Sequence, residues 1–279
     1  MTRGVTPRRP SRSGRHERPQ AALRSAKKFV SPASTERKIT TKHAAKIKTG
    51  KSAQNNPTSP ERVSEILKRL DARYPGVTCA LHHRSAWELL VATILSAQCT
   101  DVRVNMVTPG LFKKYPSVQD FAAATPEQVE PDIRSTGFFR NKSKSLVGAA
   151  RKLVEDFGGE VPTDMDQLLS LPGVARKTAN VVLGTWFEKA IGVVVDTHVT
   201  RIARRLELTR EEDPRRIEQD LMRLIPQAKW IDFAHQLIWH GRTLCFARKP
   251  KCAECPLEDL CHAADKTWST APIHKSARP

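Results

Sequence analysis

The chain has 279 residues, enough for one large domain or two lobes around a real core, and carries a formal net charge of +18. Residues 1–60 hold 15 Lys and Arg against only Glu17 and Glu36, a net +13, which leaves +5 for the rest. No apolar run approaches the roughly eighteen residues of a membrane span, and no apolar segment follows the N-terminal charges, so neither a membrane role nor secretion is expected. A modestly positive body behind a strongly basic arm suits a polyanion such as nucleic acid, although a charged body with a solvated tail has the same composition. The arm is rich in Arg and Ser and poor in acids, a composition that overlaps with organelle transit peptides. Its apolar residues are too sparse for an amphipathic helix, so a cytoplasmic, nucleoid-associated place is expected.

Residues 1–60 lack the apolar groups needed to offset ordering entropy and are predicted to be disordered. From Pro60 onward helical signals dominate. In ERVSEILKRLDARY, Val63, Ile66, Leu67 and Leu70 share one face at amphipathic spacing. Ser85 is the predicted cap of AWELLVATILSAQ, which is apolar nearly all round and so reads as a buried helix. Thr100 precedes a helix opened by Asp101, whose carboxylate suits the positive helix end. Thr125-Pro126 and Asp213-Pro214 each read as a cap followed by proline at the first helical position. A further helix is predicted from Lys142 to Phe157, ended by Gly158-Gly159, and another under a Thr163 cap. Ile191 to Val195 is the only strand-like run and has no partner strand. The predicted class is all-α, a bundle of ten or more short helices.

Three constellations carry chemistry. The first is Cys245-x6-Cys252-x2-Cys255-x5-Cys261: four thiols within seventeen residues must converge on one centre. Disulfides do not suit an intracellular chain, and zinc ribbons usually show two tight Cys-x2-Cys knuckles where this loop has one. A cubane iron–sulfur cluster takes four thiolates and fits a compact loop; zinc remains the competing reading. Arg248, Lys249 and Lys251 between the first two cysteines form a short basic loop suited to a phosphate backbone or to solvent. Cys99 follows the buried helix and reads as a small core residue, while Cys79 has no cysteine neighbour.

The second is LLSLPGVARKTANVVLG, residues 168–184. A helix ending at Leu171, a tight Pro172-Gly173 turn and a new helix near Ala175 leave the backbone N–H groups of residues 173–176 facing outward, a site for phosphate. Arg176 and Lys177 follow. The positive end of the helix disfavours an ammonium at Lys177 and favours a neutral, nucleophilic amine; an ordinary solvent-facing lysine is the plain alternative. The third is GVVVDTHVTR, where Asp196 either caps the helix containing His198 or also steadies developing positive charge at a cleft.

Together, LPGVARKTAN, VDTH some twenty residues on and the Cys-x6-Cys-x2-Cys-x5-Cys loop resemble the endonuclease III family of helix-hairpin-helix DNA glycosylases over about residues 61–265. LSAQCTD and STGFFRNK look like the family's DNA-facing loops. The resemblance implies a bifunctional DNA glycosylase and AP lyase that excises oxidised pyrimidines from duplex DNA and nicks the strand by β-elimination. Its implied partner is double-stranded DNA with damaged bases or abasic sites, handled by a monomer. Lys177 would be the nucleophile and Asp196 would stabilise the sugar cation. Gly173, Ala175 and their neighbours, including Arg176 and His198, would hold DNA, Gln98 would fill the vacated stack, and Phe138 would act as a wedge. Cys245, Cys252, Cys255 and Cys261 would bind a [4Fe–4S] cluster. The implied architecture is two helical lobes. A cluster lobe would combine about 61–80 with 197–265, a six-helix lobe would span about 81–196, and 266–279 would be a short tail. Ala175 stands where many relatives have glycine, so the hairpin must tolerate a Cβ there. An adenine-mismatch glycosylase, which lacks the lysine, and a non-catalytic zinc-bearing DNA-binding protein are the competing readings.

Overall fold

The computed structural model describes residues 56–270, so nearly all of the basic arm predicted over 1–60 lies outside the described residues. Within them the chain forms eleven α-helices and no strand. These are α1 (Pro60–Arg73), α2 (Ala86–Leu95), α3 (Asp101–Lys114), α4 (Val118–Ala123), α5 (Pro126–Ile133), α6 (Phe139–Phe157), α7 (Met165–Leu169), α8 (Arg176–Thr185), α9 (Thr197–Arg205), α10 (Pro214–Leu224) and α11 (Trp230–Thr243). The all-α class stands. No helix among the described residues is long and apolar enough to cross a membrane.

Local chemistry accounts for most of the boundaries. The Ser59, Ser85 and Thr100 hydroxyls accept from the backbone N–H of Arg62, Glu88 and Arg103, each filling one of the donors a helix start leaves open. Asp213 does the same for Arg215 and Arg216 ahead of α10, with Pro214 at the first position as expected. Gly158 and Gly159 end α6 in the left-handed region, at φ +61° and +87°. Four boundaries differ from the sequence expectation, the first being α6, which begins at Phe139, three residues before the expected Lys142. α7 is capped by Asp164, which accepts from the Gln167 N–H at 3.0 Å, rather than by Thr163. The same helix ends at Leu169, two residues before the expected Leu171. α2 ends at Leu95 because Gln98 turns into the left-handed region at φ +52° and breaks the helical run.

Helices α2 to α8 pack as one group, with α6 against α2, α4 and α5 and with α8 against α2 and α7. α11 packs against α1 and α9. α2 is buried along its length, from Trp87 to Leu95, which explains its unbroken apolar sequence. The Ile191–Val195 run has no partner strand; Val193, Val194 and Val195 are buried and carry the chain through the core to Asp196. Order continues past the cysteine loop. Lys266, only 2% exposed at its side chain, pairs with Glu258, whose carboxylate also accepts from Thr270 Oγ1 at 2.6 Å.

Candidate active site and cysteine loop

The hairpin between α7 and α8 is built on one forced glycine. Gly173 sits at φ +78°, and a Cβ there would lie 2.5 Å from Ser145 Cβ and 2.6 Å from its Oγ on α6. The turn is therefore both left-handed and pressed against a neighbouring helix, so only glycine fits. Val174 tucks its side chain into the core and donates its N–H to Leu171 O at 3.1 Å. That corrects the expectation of four free amides over 173–176, since Val174's is used. Among the described residues, the N–H groups of Gly173, Ala175, Arg176 and Lys177 have no partner and open at the start of α8, an anion-binding arrangement. Ala175 lies at φ −97°, where a Cβ costs nothing, and its side chain faces solvent. Gly173→Ala is expected to destabilise the fold by about 1–3 kcal/mol from backbone strain and overpacking. Chemical denaturation reads this loss directly, and unchanged stability would show that neither the left-handed turn nor Ser145 penalises a Cβ there.

Lys177 occupies the first turn of α8, is exposed, and makes no hydrogen bond or ion pair among the described residues. Arg176 beside it is differently placed. Its guanidinium holds Glu218 of α10 at 2.7 and 3.1 Å, and the Asn180 amide adds a 2.8 Å bond to the same carboxylate. Glu218 and Asn180 are both buried. This pair presses on Gly192, where a Cβ would lie 2.0 Å from Glu218 Oε1. Sequence reasoning missed this network, which ties the lysine's helix to the segment delivering Asp196. The signal for it was weak: a glutamate on the apolar face of α10 and a glycine before three valines.

Asp196 caps α9. Its Oδ1 accepts the N–H of both His198 and Val199 at 2.8 Å, while Oδ2 has no hydrogen-bond partner among the described residues. One oxygen thus holds the helix start and the other is unbonded among the described residues. His198 is half-buried, which pushes its pKa below the ordinary value. Its Nδ1 lies 3.2 Å from Arg201 Nη2, and it packs against the backbone of Gly241. Among the described residues, no hydrogen bond or ion pair joins Lys177 to Asp196.

Two other expected residues stand out by backbone strain. Gln98 and Phe138 both hold positive φ, +52° and +49°, and both are exposed; Phe138 is 61% exposed. A bulky residue in the left-handed region persists only where its surroundings enforce it, and such positions gather at functional sites. Phe139 is half-buried between the guanidinium groups of Arg134 and Arg140, 5.9 and 5.4 Å from its ring centre. Of the two rings, Phe138 is the free one.

Cys245, Cys252, Cys255 and Cys261 are free of disulfides and line one common cavity with His240, Arg205 and Lys266. Four thiols lining one cavity fit a cubane cluster, which takes one thiolate on each of its four irons. The surroundings fit sulfur acceptors. Arg205 Nη1 donates to Cys245 Sγ at 3.2 Å, the Thr267 N–H approaches Cys252 Sγ at 3.4 Å, and His240 Nε2 lies 3.5 Å from Cys255 Sγ. Burial pushes the Cys255 thiol up to about 12, so it is protonated unless a bound metal holds it as thiolate. The basic loop is clamped from inside: Arg205 donates to Phe246 O at 2.7 Å and Lys251 N–H to Leu244 O at 2.9 Å. Arg248 and Lys249 stay exposed.

An all-helical body with a phosphate-ready hairpin, a lysine at its lip and a four-thiol cavity defines a DNA-processing enzyme stabilised by a cluster. Known proteins agree. Residues 91–227 match the family described as HhH-GPD superfamily base excision DNA repair protein, and residues 245–261 match the iron-sulfur binding domain of endonuclease III. The chain is 57% identical over 204 residues to endonuclease III of Synechocystis sp., covering 73% of this chain and 93% of that protein. It is 44% identical over 207 residues to the endonuclease III of Bacillus subtilis, covering 74% and 94%. A solved structure described as a trapped endonuclease III–DNA covalent intermediate superposes with a TM-score of 0.70 at 41% identity, covering 73% and 96%. The chain belongs to the endonuclease III family. It is accordingly a DNA glycosylase and AP lyase of base-excision repair, and it carries a [4Fe–4S] cluster in the Cys245–Cys261 loop.

Purified anaerobically, the protein is expected to absorb near 400 nm and contain about four irons per chain, the content of one cubane. Cys252→Ala should lose that absorbance and lower the thermal midpoint; stoichiometric zinc without iron in the native protein would contradict the assignment.

Proposed function

We propose that the enzyme acts as a monomer on oxidised pyrimidines in duplex DNA, with Lys177 as nucleophile and Asp196 as its charge-stabilising partner. The single observation that carries the reading is an exposed lysine with no internal partner among the described residues, set among unpaired backbone amides at a helix start. Those amides, from Gly173, Ala175 and Arg176, would seat a phosphate and fix the sugar over the amine. Arg176 would work from behind, through Glu218, rather than as a free cation. Gln98 and Phe138 would enter the duplex as the damaged nucleotide turns out, at a cost of a few kcal/mol that a weakly stacked, damaged base lowers. His198 would help set the DNA-facing end of α9.

The chemistry then balances without any external oxidant or reductant. The Lys177 nitrogen bonds to the sugar C1′ as the C1′–N bond to the base breaks, and the base leaves with that electron pair and gains a proton. The sugar ring opens to a Schiff base, which acidifies the C2′ proton. Loss of that proton expels the 3′ phosphate and nicks the strand. Asp196 Oδ2 stabilises the positive charge that grows on the sugar. When bound, the cluster holds the C-terminal loop in shape and takes no part in these bond changes. Arg248 and Lys249 on that loop would meet backbone phosphates. In terms of architecture, the cluster lobe would span about 61–80 plus 197–265, and 81–196 would form its partner. Borohydride trapping on a duplex carrying an oxidised pyrimidine tests the reading. A covalent adduct formed with that duplex, and not with one carrying an adenine mispair, is the expected result.

A further inference from the structure

Lys142, in the first turns of α6, is a lysine without an ionic partner. It is 5% exposed and forms no ion pair among the described residues. Its Nζ donates instead to two main-chain carbonyls, Leu95 O and Thr136 O, each at 2.8 Å. Leu95 is the last residue of α2, and Thr136 ends a short 3-10 turn spanning Arg134–Thr136. One buried ammonium therefore collects the carbonyl ends of two helical segments, where the backbone dipoles are negative and offset the missing carboxylate. Burial pushes its pKa below the ordinary lysine value. The next residues along those two segments lead directly to Gln98 and Phe138, the exposed pair at φ +52° and +49°. Lys142's own N–H also bonds Phe138 O at 3.0 Å.

We propose that Lys142 is a positioning residue that joins the Gln98 loop and the Phe138 loop into one rigid unit, so that the two side chains enter the duplex together. The proposal rests on the reading of those two loops as the ones that open the base pair. Without the ammonium, both carbonyls lose a charged donor in a buried place, and the loops can shift independently. Lys142 touches no substrate; it acts through the backbone it holds.

The test uses the full-length protein and a duplex with 2-aminopurine opposite an uncleavable abasic analogue, whose fluorescence rises when the strand unstacks. Gln98→Ala and Phe138→Ala are each expected to lower the fluorescence change, and the double variant to be no worse than the more damaged single. That non-additivity is the signature of a joined unit. Lys142→Met, which keeps the stem but not the ammonium, should cut the equilibrium for opening about tenfold, the scale of losing one charged hydrogen bond. Affinity for undamaged duplex should stay unchanged, which a general loss of structure would not allow. If Lys142→Met folds yet opens the duplex as the wild type does, the proposal is overturned; if it does not fold, Lys142→Arg, which keeps the charge but changes its reach, is read in the same assay and must weaken opening for the proposal to stand. If the Gln98 and Phe138 effects multiply independently, the coupling is overturned while the loop reading stands. If neither substitution changes the signal, the loop reading itself fails and the proposal with it.

Discussion

Lys177→Gln is expected to bind a damaged duplex as the wild type does, yet to form no borohydride-trapped adduct and to lose base release by more than about a thousandfold. Glutamine keeps a polar side chain of similar reach but has no lone pair able to bond C1′. The fold should not notice the change. Lys177 is exposed and contributes no internal hydrogen bond or ion pair among the described residues, and exposed substitutions of that kind usually shift stability by no more than about 0.5 kcal/mol. The phosphate-facing amides are main-chain groups and survive the substitution, so duplex affinity is preserved. Any residual base release must proceed by water, and its product is then an abasic site in an unbroken strand. Base release and strand nicking, joined in the wild type, would separate on a denaturing gel. An adduct at wild-type yield would place the nucleophile elsewhere, and the hairpin would be left as a phosphate site alone.

The parts of this site that local chemistry dictates are legible in the amino-acid sequence. The Leu-Pro-Gly turn announces a hairpin because few other sequences turn so tightly, and the contact between Gly173 and Ser145 gives the reason. The cysteine loop is legible because four thiols so close in sequence cannot be apart in space. Spacing alone leaves zinc open; the family match answers it. Asp196 reads as a cap, and Oδ1 is bonded to the helix start as that reading requires, while Oδ2 is unbonded among the described residues. What the sequence hides are groups whose meaning comes from distant partners. Glu218 on α10 meets Arg176 and Asn180 from some forty residues away, and nothing local marks it. Lys142 is indistinguishable in sequence from a surface lysine, because lysines are rarely buried; two carbonyls arriving from separate segments make burial tolerable. The α7 cap shifts by one residue because Thr163 and Asp164 are both good caps and only the geometry chooses.

Asp196→Asn separates structure from chemistry in a way few substitutions can. Oδ1 alone carries the cap, taking both the His198 and Val199 amides, and an asparagine oxygen can occupy the same place. Asparagine ranks with aspartate as a helix cap, so the stability change should stay within about 1 kcal/mol, and less than that of Asp196→Ala, which removes the cap altogether. The free oxygen, Oδ2, becomes an uncharged NH2 that points donors where a cationic sugar develops. Removing one preorganised charge-stabilising group of this kind typically costs about 10²–10³ in rate. The expected pattern is therefore a near-native melting curve with a rate lowered by that factor, and duplex binding retained. Asp196→Ala should match the rate loss and add the stability loss, which identifies the cap as a separate contribution. Combining Asp196→Asn with Lys177→Gln should cost less than the product of the two single losses, since both residues act on one sugar. If Asp196→Asn instead retained activity within a few-fold, Oδ2 would be a bystander and Asp196 a cap only. The charge balancing the sugar cation would then have to be sought on another group.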